Sequence, residues 1–127
     1  MKALNAHDLK QGTFVMMDNA PSVVKSVDIS KTGKHGASKC RIEAEGIFDG
    51  KKRIIAVPGS ERFEIPVIDK RRAQVLSINK QEKKASVMDV ETFETFDVMI
   101  DEGLEVEENM NVEYWQVEDK KMIKRIV

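Results

Sequence analysis

The amino-acid sequence predicts an all-β protein composed of two small barrels, and three observations support this fold class. Apolar residues recur with a period near two along most of the 127 residues, which is typical of strands that bury one face. Turn-forming pairs such as Ala20-Pro21 and Pro58-Gly59 separate these runs. The charge balance also changes along the chain, because residues 1–68 hold 11 Lys or Arg against 8 Asp or Glu, whereas residues 69–127 hold 10 against 14.

The first half, residues 1–68, is predicted to form a five-strand meander or small barrel. Asp49-Gly50 is the strongest two-residue hairpin signal in the chain. The side chains of Cys40, Ile42 and Ala44 are expected to share one buried strand face, and Cys40 is interpreted as a small packing residue. The predicted strands cover 13–17, 22–29, 39–48, 53–57 and a last run in which Phe63, Ile65 and Val67 alternate.

The second half, residues 69–127, is predicted to be an OB-fold domain. The acidic segment 101–109 is expected to form one or two turns of helix between the third and fourth strands, which is the element order of an OB-fold. The predicted strands are 74–78, 85–90, 93–100, 111–117 and 121–127. The aromatic residues of this half are interpreted as core residues rather than stacking platforms, namely Phe93, Phe96, Tyr114 and Trp115.

Composition excludes several classes of protein and site. Hydrophobic residues make up 41% of the chain and charged residues 34%, which is typical of a globular protein. No apolar run reaches membrane-spanning length and the first ten residues lack a signal-peptide core, so a cytoplasmic protein without membrane contact is expected. One cysteine cannot form an internal disulfide. One histidine with no cysteine pair is not a zinc site. Neither a bound metal nor a cofactor is expected.

The segment between the second and third strands carries the clearest functional signal. Gly33 and Gly36 flank Lys34 and His35, and glycine permits both positive φ and close approach of the backbone to another surface. The loop is therefore expected to present Lys34 at an exposed apex. Residues 25–41 contain a single acidic residue, which favours a local anionic partner for the basic residues Lys25, Lys31, Lys34, Lys39 and Arg41.

Several common lysine motifs do not fit this loop. A phosphate-binding P-loop requires a glycine five residues before its Gly-Lys pair, where this chain has Asp28, and it requires a following helix where a strand is predicted. A Schiff-base lysine requires a desolvating pocket, and this apex is expected to be open. From the residues alone, a solvated hairpin tip without a specific function remains an alternative.

The run Ser30-Lys31-Thr32-Gly33-Lys34-His35-Gly36 resembles the hypusine loop of the translation initiation factor 5A family. The similarity in organisation extends along nearly the whole chain and is closest to archaeal members. The resemblance implies an SH3-like barrel over 1–68 with the hypusine loop at 30–38, followed by an OB-fold domain over 69–127. It also implies that deoxyhypusine synthase transfers an aminobutyl group from spermidine to Lys34.

The resemblance further implies a monomeric, non-enzymatic factor that binds the ribosome beside peptidyl-tRNA. Its modified lysine reaches the acceptor end of the tRNA and promotes peptide bond formation on stalled ribosomes, notably at proline runs. The family is related to bacterial elongation factor P. In this assignment Gly33 and Gly36 shape the loop, and Lys31 and Lys39 contact rRNA or tRNA. His35 either contacts the RNA as well or is a spacer without a contact of its own.

Two features stay open at this point. Eukaryotic members have a second histidine and then Ala-Lys after the position of Gly36, whereas this chain has Ala37-Ser38-Lys39, so the final product is either deoxyhypusine or hypusine. The alternative functions are an RNA chaperone with an unmodified loop and an enzyme that uses Lys34 or His35. Modification of Lys34 would favour the translation factor over the chaperone.

Overall fold

The computed structural model describes residues 2–31 and 38–127, which form eleven strands and one short 3-10 helix at Ala6–Asp8. The predicted all-β fold class is confirmed. The chain divides into two compact units, Met1–Pro66 and Val67–Val127. The first contains β1 (Ala3–Asn5), β2 (Phe14–Met17), β3 (Ala20–Lys31), β4 (Ser38–Gly46), β5 (Lys52–Pro58) and β6 (Arg62–Glu64). The second contains β7 (Asp69–Asn79), β8 (Lys84–Asp89), β9 (Thr95–Ile100), β10 (Asn111–Val117) and β11 (Lys120–Ile126).

The first unit is the SH3-like barrel, and it is built from two antiparallel sheets around one core. Strands β2, β3, β4 and β5 are neighbours in that order, and β1 pairs with β6. The predicted alternation in β4 is confirmed, and burial raises the pKa of the Cys40 thiol, which suits a packing residue. Both sheets and the 3-10 helix contribute to the core, which contains Ala6, Leu9, Val15, Met17, Val24, Cys40, Ile42, Ala44 and Phe63.

Four local details of the first unit differ from the prediction. Ala20-Pro21 is not a turn, because both residues belong to β3, and the turn before them is formed by Asp18 and Asn19, which have positive φ. The last predicted strand is shorter than expected, because β6 ends at Glu64 and Val67 is 82% exposed.

The β4–β5 connection is not a two-residue hairpin, because Gly46 and Lys51 form the closing backbone hydrogen bond at 2.9 Å and leave four residues between them. The Asp49 carboxylate accepts a hydrogen bond from the Lys51 backbone N–H, and only Gly50 has positive φ. A two-residue type I′ turn needs positive φ at both central residues. Strand β1 has no counterpart in the prediction.

The second unit is a closed five-stranded barrel with OB-fold topology. The strands follow one another in the order β10, β11, β9, β8 and β7, and β7 pairs back with β10 to close the barrel. All neighbours are antiparallel except β9 and β11, which are parallel. The barrel interior is filled by Ala73, Val75, Ala85, Val87, Val98, Val106, Val112, Tyr114 and Ile123.

The prediction of a helix at 101–109 is wrong, because this segment contains turns and irregular backbone. Gly103 has a φ of +83°, which is incompatible with a right-handed helix. The side chain of Val106 enters the core and that of Leu104 packs against it, whereas Glu105 between them is exposed. Residues two apart do not share one face of a helix, so burial of these two apolar side chains overrides the helix preference of the glutamates.

The aromatic residues of the second unit do not share one environment. Tyr114 is buried and meets Phe96 edge-on, with 5.1 Å between the ring centroids. Trp115 is half-buried, and the Lys70 Nζ lies 4.5 Å from the centroid of its ring. The prediction that Phe93 belongs to the core is wrong, because 71% of this residue is exposed.

Over residues 2–31 and 38–127, no helix has the length and apolarity needed to cross a membrane. The same residues contain no group of three or more His, Cys, Asp or Glu side chains placed to hold a metal ion.

Candidate nucleic-acid interface

Strands β3 and β4 form a ribbon that holds the predicted functional loop at its end. Their register runs from Ser22 opposite Gly46 to Lys31 opposite Ser38. Residues 32–37 join the two members of this last pair. The predicted site residues Gly33, Lys34, His35 and Gly36 all lie in this connection, outside the described residues. The described part of the site is therefore the end of the ribbon from which the loop starts and to which it returns.

Lys31 and Lys39 are both exposed at the end of the ribbon, but they lie on opposite faces of it. Ser30 is opposite Lys39 and Lys31 is opposite Ser38 in the antiparallel register. Residues directly opposite each other share a face, and successive residues alternate between faces. The ribbon end thus carries one lysine on each face, so an anionic partner that surrounds it meets positive charge from both sides.

Further from the loop, the basic residues of the ribbon are paired with carboxylates. The Arg41 guanidinium lies 3.8 Å from the Asp28 carboxylate, and the Lys25 Nζ lies 3.7 Å from that of Glu45. Exposed pairs of this kind contribute little to stability, but they neutralise charge locally. Among the described residues, neither Lys31 nor Lys39 has such an ion pair, so the uncompensated positive charge of the ribbon is concentrated beside the loop.

The base of the loop is held by two residues from distant parts of the first unit. The Gly59 backbone N–H donates a hydrogen bond of 2.8 Å to the Ser38 carbonyl, next to the loop. The Gly59 carbonyl in turn accepts hydrogen bonds from the His7 backbone N–H at 3.1 Å and from its Nδ1 at 2.5 Å. These hydrogen bonds connect the 3-10 helix to the β5–β6 turn, and they connect that turn to the start of β4.

At the base of the loop, Gly59 is packed so closely that no side chain fits there. A Cβ atom built at this position would overlap the Ser38 Oγ and lie 3.3 Å from the His7 Cβ. The sequence predicts a turn at Pro58-Gly59, but nothing in it indicates that this turn lies beside the loop or that His7 contacts it. Contacts over such sequence separations leave no local pattern, so only the structure could reveal them.

We expect Gly59→Ala to lower the free energy of unfolding by about 1–3 kcal/mol, because the new methyl group overpacks the contact with Ser38. Thermal unfolding of the full chain measures this change. Ser38→Ala should be nearly neutral alone and should restore most of the loss when combined with Gly59→Ala, because it removes the overlapping Oγ. Strictly additive effects of the two substitutions would contradict this account of the contact.

The first 61 residues match the N-terminal domain model described as translation initiation factor 5A-like. Over 124 residues the chain is 43% identical to translation initiation factor 5A of Pyrococcus horikoshii, with 93% of this chain and 88% of the relative covered. The chain belongs to the translation initiation factor 5A family. The Halobacterium salinarum factor is 38% identical over 116 residues, with 91% of each chain covered.

Solved structures of the family agree with the fold described above. The factor 5A from Methanococcus jannaschii superposes with a TM-score of 0.87 at 37% identity, covering 99% of this chain and 94% of that one. A family protein from Naegleria fowleri superposes with a TM-score of 0.74 at 26% identity, covering 98% and 96%. The chain is therefore a translation factor of archaeal type that takes part in protein biosynthesis.

Proposed function

We propose that this translation factor binds the ribosome and promotes peptide bond formation on stalled ribosomes through a modified Lys34. Deoxyhypusine synthase transfers an aminobutyl group from spermidine to the Lys34 Nζ, which yields deoxyhypusine or, after hydroxylation, hypusine. The factor itself is a cytoplasmic monomer that catalyses no reaction and requires no bound cofactor. Its ligands are rRNA and the acceptor end of peptidyl-tRNA.

The observation that carries this proposal is the position of the motif in the fold. The run from Ser30 to Gly36 spans the connection at the end of the β3–β4 ribbon, and it lies within the part of the chain that matches the family model. The last four residues of β3, Asp28–Lys31, are all exposed. A ribbon end of this kind can enter a cleft that the body of the barrel cannot enter.

The chemistry of the modified side chain suits a position inside RNA. Lysine carries one charge on a flexible stem. An added aminobutyl group lengthens the stem and supplies a second protonatable nitrogen, so the product is thin, long and doubly cationic. Such a group neutralises closely spaced phosphates without needing to transfer protons. By holding the acceptor end of the tRNA in place, it would lower the entropic part of the barrier to peptide bond formation.

Lys31 and Lys39 are placed to contact phosphates beside the loop. Both are exposed at the ribbon end, and they face in opposite directions. Contacts to phosphates give affinity that is independent of sequence and falls as the salt concentration rises. These two residues would therefore attract and orient the loop, while Gly33 and Gly36 shape it and His35 contacts RNA.

Intact-mass measurement of the protein purified from its native source tests the proposal. We expect the mass of the chain plus one aminobutyl or hydroxyaminobutyl group, and peptide mapping should assign the addition to Lys34. The modified protein should then accelerate peptide bond formation on purified ribosomes stalled at a proline run. An unmodified chain, or a modified chain without effect on stalled ribosomes, would contradict the proposal.

A further inference from the structure

The turn at residues 90–94, which joins β8 to β9, presents an aromatic residue to solvent. All five residues of the turn are exposed, and Phe93 has 71% of its surface accessible. Val90 adds a second exposed apolar side chain, at 42%. Scattered exposed apolar residues are common on protein surfaces, so exposure of Phe93 is not sufficient to indicate a site.

The backbone of Phe93 adopts a conformation that disfavours its own side chain. Its φ is +62°, in the left-handed region that glycine and asparagine occupy readily and bulky residues avoid. The cost of this conformation for an ordinary residue is about 1–2 kcal/mol. The turn thus carries a large apolar side chain, exposed to water, at a position where glycine would be more stable. Such outliers are concentrated at functional positions.

The 90–94 turn is also rigidly supported from the barrel. The Asp89 carboxylate accepts hydrogen bonds from the backbone N–H groups of Glu91 at 2.8 Å and Thr92 at 3.0 Å, and the Phe93 N–H donates to the Asp89 carbonyl at 2.9 Å. Asp89 is itself 1% exposed and is held by Arg71 and Tyr114. A side chain mounted on a fixed backbone loses less conformational entropy when it binds.

The charge around Phe93 identifies the kind of partner. The turn contains Glu91 and Glu94, both exposed, and no basic residue. The Glu91 carboxylate pairs with the Arg71 guanidinium at 3.5 Å, whereas Glu94 has no ion pair among the described residues. An unpaired carboxylate beside an aromatic ring repels nucleic-acid phosphates, whereas it complements lysine and arginine side chains around an apolar cleft. Aromatic anchors that enter such clefts dominate the binding energy of many protein interfaces.

We propose that the 90–94 turn is a docking anchor, in which Phe93 inserts into an apolar cleft of a basic protein surface on the ribosome. This inference rests on the ribosome binding proposed above and adds a protein contact to it. The anchor acts independently of the Lys34 loop, because it lies in the second unit and its support comes from residues of that unit alone. Val90 adds a second apolar side chain to the contact, and Glu94 sets its preference for a basic partner.

Phe93→Gly separates binding from stability. Glycine relieves the left-handed strain, so the melting temperature of the full chain should not fall, while affinity for purified archaeal ribosomes should weaken by about tenfold or more. Leu76→Ala is the matched control, because it truncates another exposed apolar side chain of the same barrel, at 43% exposure. It should change the affinity less than about twofold, as expected of residues outside a hot spot. Unchanged affinity of Phe93→Gly would overturn the anchor.

Glu94→Lys and a photoreactive phenylalanine analogue at position 93 test the class of partner. The charge reversal should weaken ribosome binding if the partner is a basic protein, and it would strengthen binding to RNA. The photoreactive group should cross-link to a ribosomal protein. Tighter binding of Glu94→Lys, cross-links to rRNA alone, or no cross-link would each overturn the proposal.

The same experiments separate failure of the anchor from failure of the proposed function. If the wild-type protein binds ribosomes and relieves stalling while Phe93→Gly behaves identically, the anchor alone is refuted. If the wild-type protein carrying its modification does not bind ribosomes, both proposals are refuted.

Discussion

Lys34→Arg is expected to yield a folded protein that is not modified and does not relieve ribosome stalling. Arginine retains the positive charge, but its guanidinium remains protonated and cannot accept the aminobutyl group as an amine does. The loop therefore keeps one charge and loses the extended, doubly cationic side chain. Intact mass, thermal unfolding and the rate of peptide bond formation at a proline run measure the three parts of this prediction.

Lys31→Arg and Lys39→Arg are the matched controls for Lys34→Arg. Both residues are exposed at the same ribbon end, and both substitutions preserve charge. If these side chains act by attraction to phosphates, arginine should replace lysine with little loss of activity. Only the substitution at position 34 should abolish activity. Equal losses for all three variants would indicate that the ribbon end requires lysine for its shape, and full activity of Lys34→Arg would refute the proposed mechanism.

Strands were predicted correctly where a long strand buries one face. In β4, Cys40, Ile42 and Ala44 alternate with polar residues, and the structure buries all three. A period of two is a local property of the sequence, so such a strand can be recognised without knowing its partner strands. Strand β1 has only three residues, Ala3–Asn5, and is stabilised by pairing with Arg62–Glu64. Nothing within so short a segment distinguishes it from a loop.

The errors share a physical origin in tertiary contacts. The segment 101–109 has the composition of a helix, but Leu104 and Val106 contribute to the barrel core and the backbone there is irregular. Phe93 has the sequence spacing of a core residue, but Asp89 fixes the turn and leaves it outside the barrel. Each outcome depends on residues that are distant in sequence or on a side-chain hydrogen bond that periodicity does not encode.

The site was predictable only in part. The glycines around Lys34 indicate an exposed loop, but the assignment of that loop to translation came from its resemblance to a family and not from physical chemistry. The hydrogen bonds that connect His7, Gly59 and Ser38 at the loop base cross more than twenty residues at each step. The opposite orientation of Lys31 and Lys39 required the observed register.

Asp89→Ala is expected to cause the largest loss of stability among these variants. The buried carboxylate accepts five hydrogen bonds, two from Arg71, one from the Tyr114 hydroxyl and two from backbone N–H groups. Its removal leaves a guanidinium, a hydroxyl and two N–H groups without this partner. Breaking a buried charge pair in this way costs about 3–5 kcal/mol. For a domain of this size the melting temperature should fall by about 15 °C.

The Asp89 cluster also predicts how stability depends on pH. The hydrogen bond from Arg71 is the main reason that the pKa of Asp89 lies well below its usual value of about 3.9. The stabilisation is therefore complete above about pH 4 and is lost as the pH falls towards the folded-state pKa. Burial, together with the hydrogen bond to Asp89, raises the pKa of Tyr114 to about 12. Its contribution is complete below about pH 10 and is lost as the pH rises towards 12.

Three further variants identify which interaction is responsible. Asp89→Asn preserves the shape but removes the charge, so it should lose part of the stability and flatten the acid limb of the pH profile. Tyr114→Phe removes one hydrogen bond and should cost about 1 kcal/mol. Asp97→Ala, on an exposed strand position of the same barrel, should cost less than Asp89→Ala because it loses only its bond to Ser86. Equal losses of stability in Asp89→Ala and Asp97→Ala would show that the buried carboxylate does not support the 90–94 turn. In that case Asp89→Ala should leave ribosome binding unchanged, whereas Phe93→Gly should still weaken it.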